Sequence, residues 1–282
     1  MKTHIIIDSA CDITKAEADQ LGLDFLPLKT LFGDMEYLDG ITLSPFEFYE
    51  KLVEGDCIPT TSQVSPYDYE QLYKLIKAAG ETAVVITLSA KLSGTNSSAH
   101  IALEGYEDCI YIVDSENVCV GEQILVREAV RLRDQGLSAA EIAEELDVKK
   151  KNICLLALLD TLEYLKRGGR ISKTAAFAGG LLSIKPVITI QDGEVAILGK
   201  ARGSKNGNNM LIELIEKNGG IDFTMPFTLG YTGLEDSLLQ KYIRDSAHIW
   251  EGNIDTLPIS TVGSTIGTHA GPGAIVVAFF HQ

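Results

Sequence analysis

The 282-residue sequence has no pair of cysteines two residues apart, no histidine cluster at metal-ligand spacing and no apolar run long enough to cross a bilayer. Each absence closes a class of function. Cys11, Cys57, Cys109, Cys119 and Cys154 are an odd, scattered set, which suits a reducing compartment better than a disulfide scaffold. His4, His100, His248, His269 and His281 lie far apart, so no metal site is expected. The longest apolar run near the end, AIVVAFF, falls far short of the ~20 residues of a spanning helix. The start, MKTHIIIDSA, has only Ile5, Ile6 and Ile7 in succession before an acid, and reads as a first strand rather than a signal peptide. Positive charge is also scarce. Asp and Glu number 39 against 24 Lys and Arg, a formal net charge of -15. Such a surface repels phosphate backbones and anionic headgroups, so no nucleic-acid partner and no stable membrane insertion are expected. A cytoplasmic location is expected, where the Asn96-Ser97-Ser98 acceptor pattern meets no glycosylation machinery.

What is present reads as α/β throughout. HIII (4–7), AVVITL (83–88) and CIYIV (109–113) are short, nearly continuous apolar runs with helical stretches between them. That pattern predicts a mostly parallel sheet covered on both faces, a three-layer domain. Thr14 to Glu17, Ser44 to Glu47, Ser65 to Asp68 and Ser138 to Glu141 read as helix starts, two of them with proline at the first helical position. FLPLKTLF (25–32) is a further apolar run. The second half differs. VITIQDGEVAIL places Asp192-Gly193 between two alternating runs, a hairpin signal. Helices are expected near 160–166, 172–182, 205–217 and 234–246, and strands near 226–231, 255–260 and 274–280. The charged stretch DVKKKN marks a boundary, giving an N-terminal parallel α/β domain over 1–150 and a smaller α/β domain with an antiparallel hairpin over 151–282.

Hydroxyls gather where ligands bind in such sheets. Three first-half strands end in Ser9, Ser89 and Ser115, beyond the carboxyl ends where open parallel sheets hold ligands. Helix capping explains each one singly. The loop from Ser89 to Ser98 holds five hydroxyls, and Gly94 permits close backbone approach at a helix start near Ser93, which suits an anion. It matches neither the phosphate loop of NTPases nor the dinucleotide fingerprint, so no cofactor is implied. Thr60-Thr61-Ser62-Gln63 is a second cluster, on its own readable as a plain loop. Arg170, after Gly168-Gly169, offers a fork of donors, and Arg202 adds another cation. His269 sits in a Gly/Pro-rich stretch expected to be a turn, with little packing to do.

Taken in order, TSQVSP, LSGTNSSA, VDSENVCVG, LEYLKRGGRIS, IKP (184–186) and IGTHAGPGA resemble the DegV family, whose members include the fatty acid-binding subunits of bacterial fatty acid kinase. The resemblance spans Asp8 to Ala274 and implies two α/β domains around a buried acyl chain. It implies that Ser93 and Thr61 hold the carboxylate of a long-chain fatty acid, with His269 and Arg170 close by and Arg202 matching a later family arginine. Ser62, Gly94 and Thr95 belong to the same two motifs as supporting positions. A separate kinase catalytic subunit then phosphorylates the acid, and this chain is a lipid-binding carrier with no catalytic residues of its own. Cys119, Val120 and Gln123 depart from the family's small continuation after VDS, and Asn96 stands in place of a tyrosine, departures that bear on the acyl chain rather than the head group. Two other functions compete: a hydrolase with Ser93 as nucleophile and His269 as base, for which no orienting acid is evident, and a phosphocarrier modified on His269.

Overall fold

The computed structural model describes residues 2–55, 57–171 and 184–281. The chain begins with β1 (Thr3–Asp8), a 3-10 turn, α1 (Lys15–Gln20), β2 (Asp24–Leu26), β3 (Lys29–Phe32), β4 (Met35–Leu38) and α2 (Pro45–Glu54). It continues through β5 (Thr60–Ser62), α3 (Pro66–Ala78), β6 (Thr82–Thr87), α4 (Thr95–Ile101), β7 (Ile110–Asp114), α5 (Cys119–Asp134) and α6 (Ala139–Lys149). The remainder is β8 (Ile153–Leu158), α7 (Glu163–Arg167), β9 (Ile184–Gln191), β10 (Glu194–Arg202), α8 (Gly203–Lys217), β11 (Thr228–Tyr231), α9 (Ser237–Asp245), α10 (Ala247–Trp250), β12 (Ile259–Thr261), α11 (Ser264–Ala270) and β13 (Ile275–Phe280). The helix expected near 172–182 lies outside the described residues.

The first sheet has the order β2-β1-β6-β7 and every pairing in it is parallel. Its strands are apolar on both faces because both faces are covered. Ile5 and Ile7 pack with α1, α5 and α6, while Ile6 packs with α3 and α4. Three of the four expected capping boxes form, at Ser44–Glu47, Ser65–Asp68 and Ser138–Glu141. At Thr14 only half forms. Thr14 Oγ1 accepts the Glu17 N–H, but the Glu17 carboxylate turns to Arg127 at 2.6 Å.

The second sheet, β10-β9-β8-β13-β11-β12, is antiparallel except between β11 and β12. Although the second half of the chain is the shorter, this sheet has six strands against four. Asp192 and Gly193 turn the hairpin with φ of 51° and 78°, the left-handed pair that a two-residue hairpin turn needs. Helix α5 lies between the two sheets. Leu125, Val126 and Ala129 face the first, and Cys119, Val120 and Ile124 face the second.

The apolar run FLPLKTLF divides at Pro27, and β2 and β3 enter different sheets. Two expectations need correction. Thr60–Ser62 is not a loop but β5, an edge of a small antiparallel sheet β4-β3-β5 in which Thr61 lies opposite Thr30. His269 is not in a turn. It stands in the last turn of α11, and the turn follows at Gly271.

The seam between the halves is built on buried carboxyls. Asp39 Oδ1 accepts the Ser264 N–H at 2.9 Å and the Ser264 hydroxyl at 2.7 Å, and Asp39 Oδ2 accepts Ser9 Oγ at 3.0 Å. Asp12 Oδ1 accepts the Gly263 N–H at 2.7 Å. Glu122 on α5 is fully buried, and neither of its carboxyl oxygens has a partner among the described residues. Burial pushes Asp8 up to about 7 and Asp12 up to about 8, and raises Glu122 well above the carboxylate range with help from Asp8 and Asp12. Between the ordinary carboxylate value of 3.8 and these raised values, the folded chain keeps protons that the unfolded chain has lost. Their contribution to stability is therefore full below about pH 4 and is lost as pH rises through 7 and 8. Glu122→Gln keeps the shape and removes one titration. Its urea midpoint is expected to fall less than the wild type's between about pH 6 and pH 9, and to lie above it at the higher pH. Parallel curves would contradict this origin of the pH dependence.

Candidate functional site

Four chain segments meet where the two halves face each other. The first is β5, which carries Thr61. The second is the loop from β6 to α4. The third is the end of α7 with Arg170, and the fourth is the helix α11. Each is tied to another by a specific bond. Thr61 Oγ1 and His269 Nε2 are 2.9 Å apart. Arg170 donates from Nε to Leu92 O at 3.0 Å and from Nη1 to Gly168 O at 2.7 Å. Ser89 Oγ donates to Gly193 O at 2.7 Å, fastening the loop to the β9–β10 hairpin turn.

Glycine is required at two of these approaches. A Cβ on Gly168 would overlap the His269 imidazole, so the ring lies directly on the backbone after α7. A Cβ on Gly94 would overlap the Gln63 side chain, which crosses there to donate to Ser98 Oγ at 2.7 Å. Neither position has a positive φ; the demand is for space.

Hydroxyl orientation follows from the neighbouring donors. Ser93 Oγ accepts the Thr95 N–H at 3.2 Å and lies 3.0 Å from Thr95 Oγ1. Burial, and then the charge of Arg170, push His269 down to about 4. The imidazole is therefore neutral at neutral pH. Its Nδ1 has no partner among the described residues, so the proton belongs on Nε2, aimed at Thr61 Oγ1. Arg170 is half-buried, and that burial lowers it from its usual value. It remains charged, because a guanidinium does not deprotonate in proteins.

Behind these polar groups lies a cavity of about 830 Å³, part of it open at the mouth. Its floor is the inner face of the second sheet: Leu155 and Ala157 of β8, Ile188 and Ile190 of β9, Val195 of β10 and Val276 of β13. Val118 and Cys119 at the start of α5 form part of the opposite wall. From β10 to the end of β11, where Thr232 lines it, the cavity crosses five strands, a span of about 19 Å at the usual strand spacing. Among the described residues the wall carries no carboxylate, so the arrangement suits an elongated apolar molecule with an anionic head at Thr61, Ser93, His269 and Arg170.

Thr61, Ser93, Arg170 and His269 all line this cavity. Gly94 lies on a more open polar recess outside it, shared with Ser93, Arg170 and Lys91. Thr95 is buried beneath Ser93. Ser62 is exposed at the edge of β5, and Arg202 is exposed at the end of β10, away from the cavity wall. Ser9, Ser89 and Ser115 are engaged with Asp39, Gly193 and Asn117 respectively and serve the scaffold. Asn96 donates to Thr87 Oγ1, and Gln123 donates to Asp12 O. Thr232 and Thr265 on the cavity wall, and Asp39 behind it, were not singled out from sequence. The spacing of Thr265 and His269, four residues apart on one helical face, is the signal that was available.

The chain matches the model of a family described as "Uncharacterised protein, DegV family" over residues 2–282. It is 34% identical over 280 residues to a DegV domain-containing protein of Caldanaerobacter subterraneus subsp. tengcongensis, covering 99% of this chain and 98% of that one. It is 35% identical over 290 residues to another from Clostridium perfringens, covering 99% and 98%. Among solved structures it superposes with a TM-score of 0.88 and 28% identity on a fatty acid-binding DegV family protein from Thermus thermophilus, covering 99% and 100%. It does so at 0.85 and 28% on DegV, a fatty acid binding protein from Bacillus subtilis, covering 100% of both chains. A stearic acid-binding protein from Eubacterium ventriosum gives 0.85 at 27% identity, covering 99% and 97%. With the family model spanning the chain and the curated relatives matched along almost their whole length, the chain belongs to the DegV family.

Proposed function

We propose that this protein is a cytoplasmic carrier that buries a long-chain fatty acid in the inter-sheet cavity, holds its carboxylate with Thr61 and Ser93, and presents it to a separate kinase subunit. The observation that carries the reading is an aliphatic cavity with the hydroxyls of Thr61 and Ser93 on its wall. The chain's likeness to fatty acid-binding structures supports it. About fifteen buried methylenes at ~0.8 kcal/mol each contribute roughly 12 kcal/mol gross. Association and ordering remove several kcal/mol of this, which still leaves tight binding. One acyl chain spans about half of a ~30 Å hydrocarbon layer, which fits within the ~19 Å crossed by the cavity.

The head group is the costly part, since a buried carboxylate needs donors. His269 Nε2–H donates to Thr61 Oγ1, which leaves the Thr61 proton for the ligand. Ser93 Oγ accepts the Thr95 N–H and lies 3.0 Å from Thr95 Oγ1; with Thr95 Oγ1 as the donor of that pair, the Ser93 proton is likewise left for the ligand. Arg170 spends two of its five donors on Leu92 and Gly168, so fewer remain to clamp the acid. Hydroxyl donors hold the carboxylate while leaving it nucleophilic toward a phosphoryl group, whereas a fork of charged donors would blunt it. Exposed Arg202 and Ser62 are then contacts for the partner rather than for the acid.

The hydrolase reading loses support from geometry. His269 Nε2 is paired with Thr61 rather than Ser93, and no acid orients Nδ1 among the described residues. A phosphohistidine carrier needs an accessible nitrogen, and here Nε2 is engaged while Nδ1 is buried against Gly168.

Displacement of a fluorescent fatty acid tests the clamp. Thr61→Val and Ser93→Ala should each weaken binding by about tenfold to a hundredfold, with thermal unfolding within a few degrees of wild type. Wild-type affinity in both variants would remove the head-group assignment. With a fatty acid kinase catalytic subunit and ATP, Arg202→Ala should lower acyl-phosphate formation while binding of the acid stays unchanged; undiminished phosphorylation would rule out its partner role.

A further inference from the structure

One polar side chain on the cavity wall has nothing to do in a purely aliphatic site. Thr265 is 3% exposed, lines the cavity, and its Oγ1 has no hydrogen-bond partner among the described residues. Apart from His269 Nδ1, which is buried against Gly168, the other polar groups on the wall are engaged among the described residues. Thr61 is paired with His269, Ser93 with Thr95, Arg170 with two carbonyls, and Thr232 Oγ1 with the Ala274 N–H at 2.7 Å.

A helical threonine ordinarily escapes this problem by bonding to the carbonyl four residues back. Thr268, on the same helix, does so, donating to Ser264 O at 2.8 Å. Thr265 is the second residue of α11, so the residue four back is Thr261 in β12, with no helical carbonyl beneath it. Its own N–H is bound by Asp39 Oδ2 at 3.3 Å, which fixes the backbone and leaves the hydroxyl buried and unpaired where Thr265 lines the cavity. Thr265 and His269 share a helical face, and Thr265 lies about 6 Å along the axis from the head-group position.

We infer that Thr265 is a specificity-determining residue that pairs with an oxygen carried on the acyl chain, so that the preferred ligand is a hydroxy or oxo fatty acid rather than an unsubstituted one. The inference rests on the fatty-acid reading of the cavity and goes beyond it. An unsubstituted chain leaves the hydroxyl against methylenes, an unpaired buried polar group. A chain oxygen one helical turn in from the carboxylate satisfies both partners. Buried hydrogen-bonding groups discriminate strongly against ligands that lack the matching group.

The test uses stearate and a series of hydroxystearates with the hydroxyl moved along the chain, titrated against wild type, Thr265→Val and Thr265→Ser. Wild type should bind one positional isomer about tenfold more tightly than stearate. Thr265→Val should lose that preference while binding stearate at least as well as wild type, and Thr265→Ser should retain it. Equal hydroxystearate-to-stearate ratios in wild type and Thr265→Val would overturn the inference while leaving the fatty-acid site standing. Failure of wild type to bind stearate or any isomer would overturn both.

Discussion

The site depends on two carboxyls from the first half of the chain that hold the start of a helix in the second. Helix α11 has seven residues, too few to be stable alone. Asp39 accepts its first two N–H groups and the Ser264 hydroxyl, and Asp12 accepts the N–H of Gly263 just before it. Thr30 Oγ1 and the Tyr49 hydroxyl add contacts from the small sheet and α2. Everything α11 presents to the cavity, Thr265 and Ile266 and then His269 and Ala270, takes its position from this anchoring. The seam therefore joins the halves and sets the site in a single arrangement. Its burial also explains why Asp8, Asp12 and Glu122 are driven toward their neutral forms.

At the mouth, the same economy of donors decides the chemistry. A buried imidazole beside an arginine is neutral, and a neutral imidazole with an unpartnered Nδ1 gives its one proton to Thr61. Charge is thus kept one step away from where the carboxylate would sit. Arg170, the cation on the described cavity wall, is pinned to two backbone carbonyls. Gly168 and Gly94 matter because side chains there would push His269 and Gln63 out of place.

Much of this was legible in the sequence because its causes are local. The continuous apolar runs of β1 and β6 predicted a covered parallel sheet, Asp192-Gly193 predicted a hairpin, and three capping boxes formed where their spacing placed them. The departures have non-local causes. Glu17 abandoned its cap for Arg127 on α5, 110 residues away. β5 is a strand only because β3 pairs with it, and its polar sequence TTS carries no strand pattern of its own. Asp39 belongs to no motif, and its importance comes from partners 225 residues later. The stretch around His269 read as a turn because of its glycines, yet packing against α2 and capping from Asp39 make it helical. Likewise Thr265 became conspicuous only once the residue was seen on the cavity wall with its buried hydroxyl unpartnered among the described residues.

The central claim is that the space between the sheets is an acyl-chain site with its head-group donors at Thr61 and Ser93. Mass spectrometry of an organic extract of the natively purified protein tests it most directly. The account predicts a long-chain fatty acid in close to one-to-one ratio with protein, and a much lower yield from a Thr61→Val, Ser93→Ala double variant that melts like wild type. An extract free of fatty acid, from protein that also takes up none when it is supplied, would contradict it.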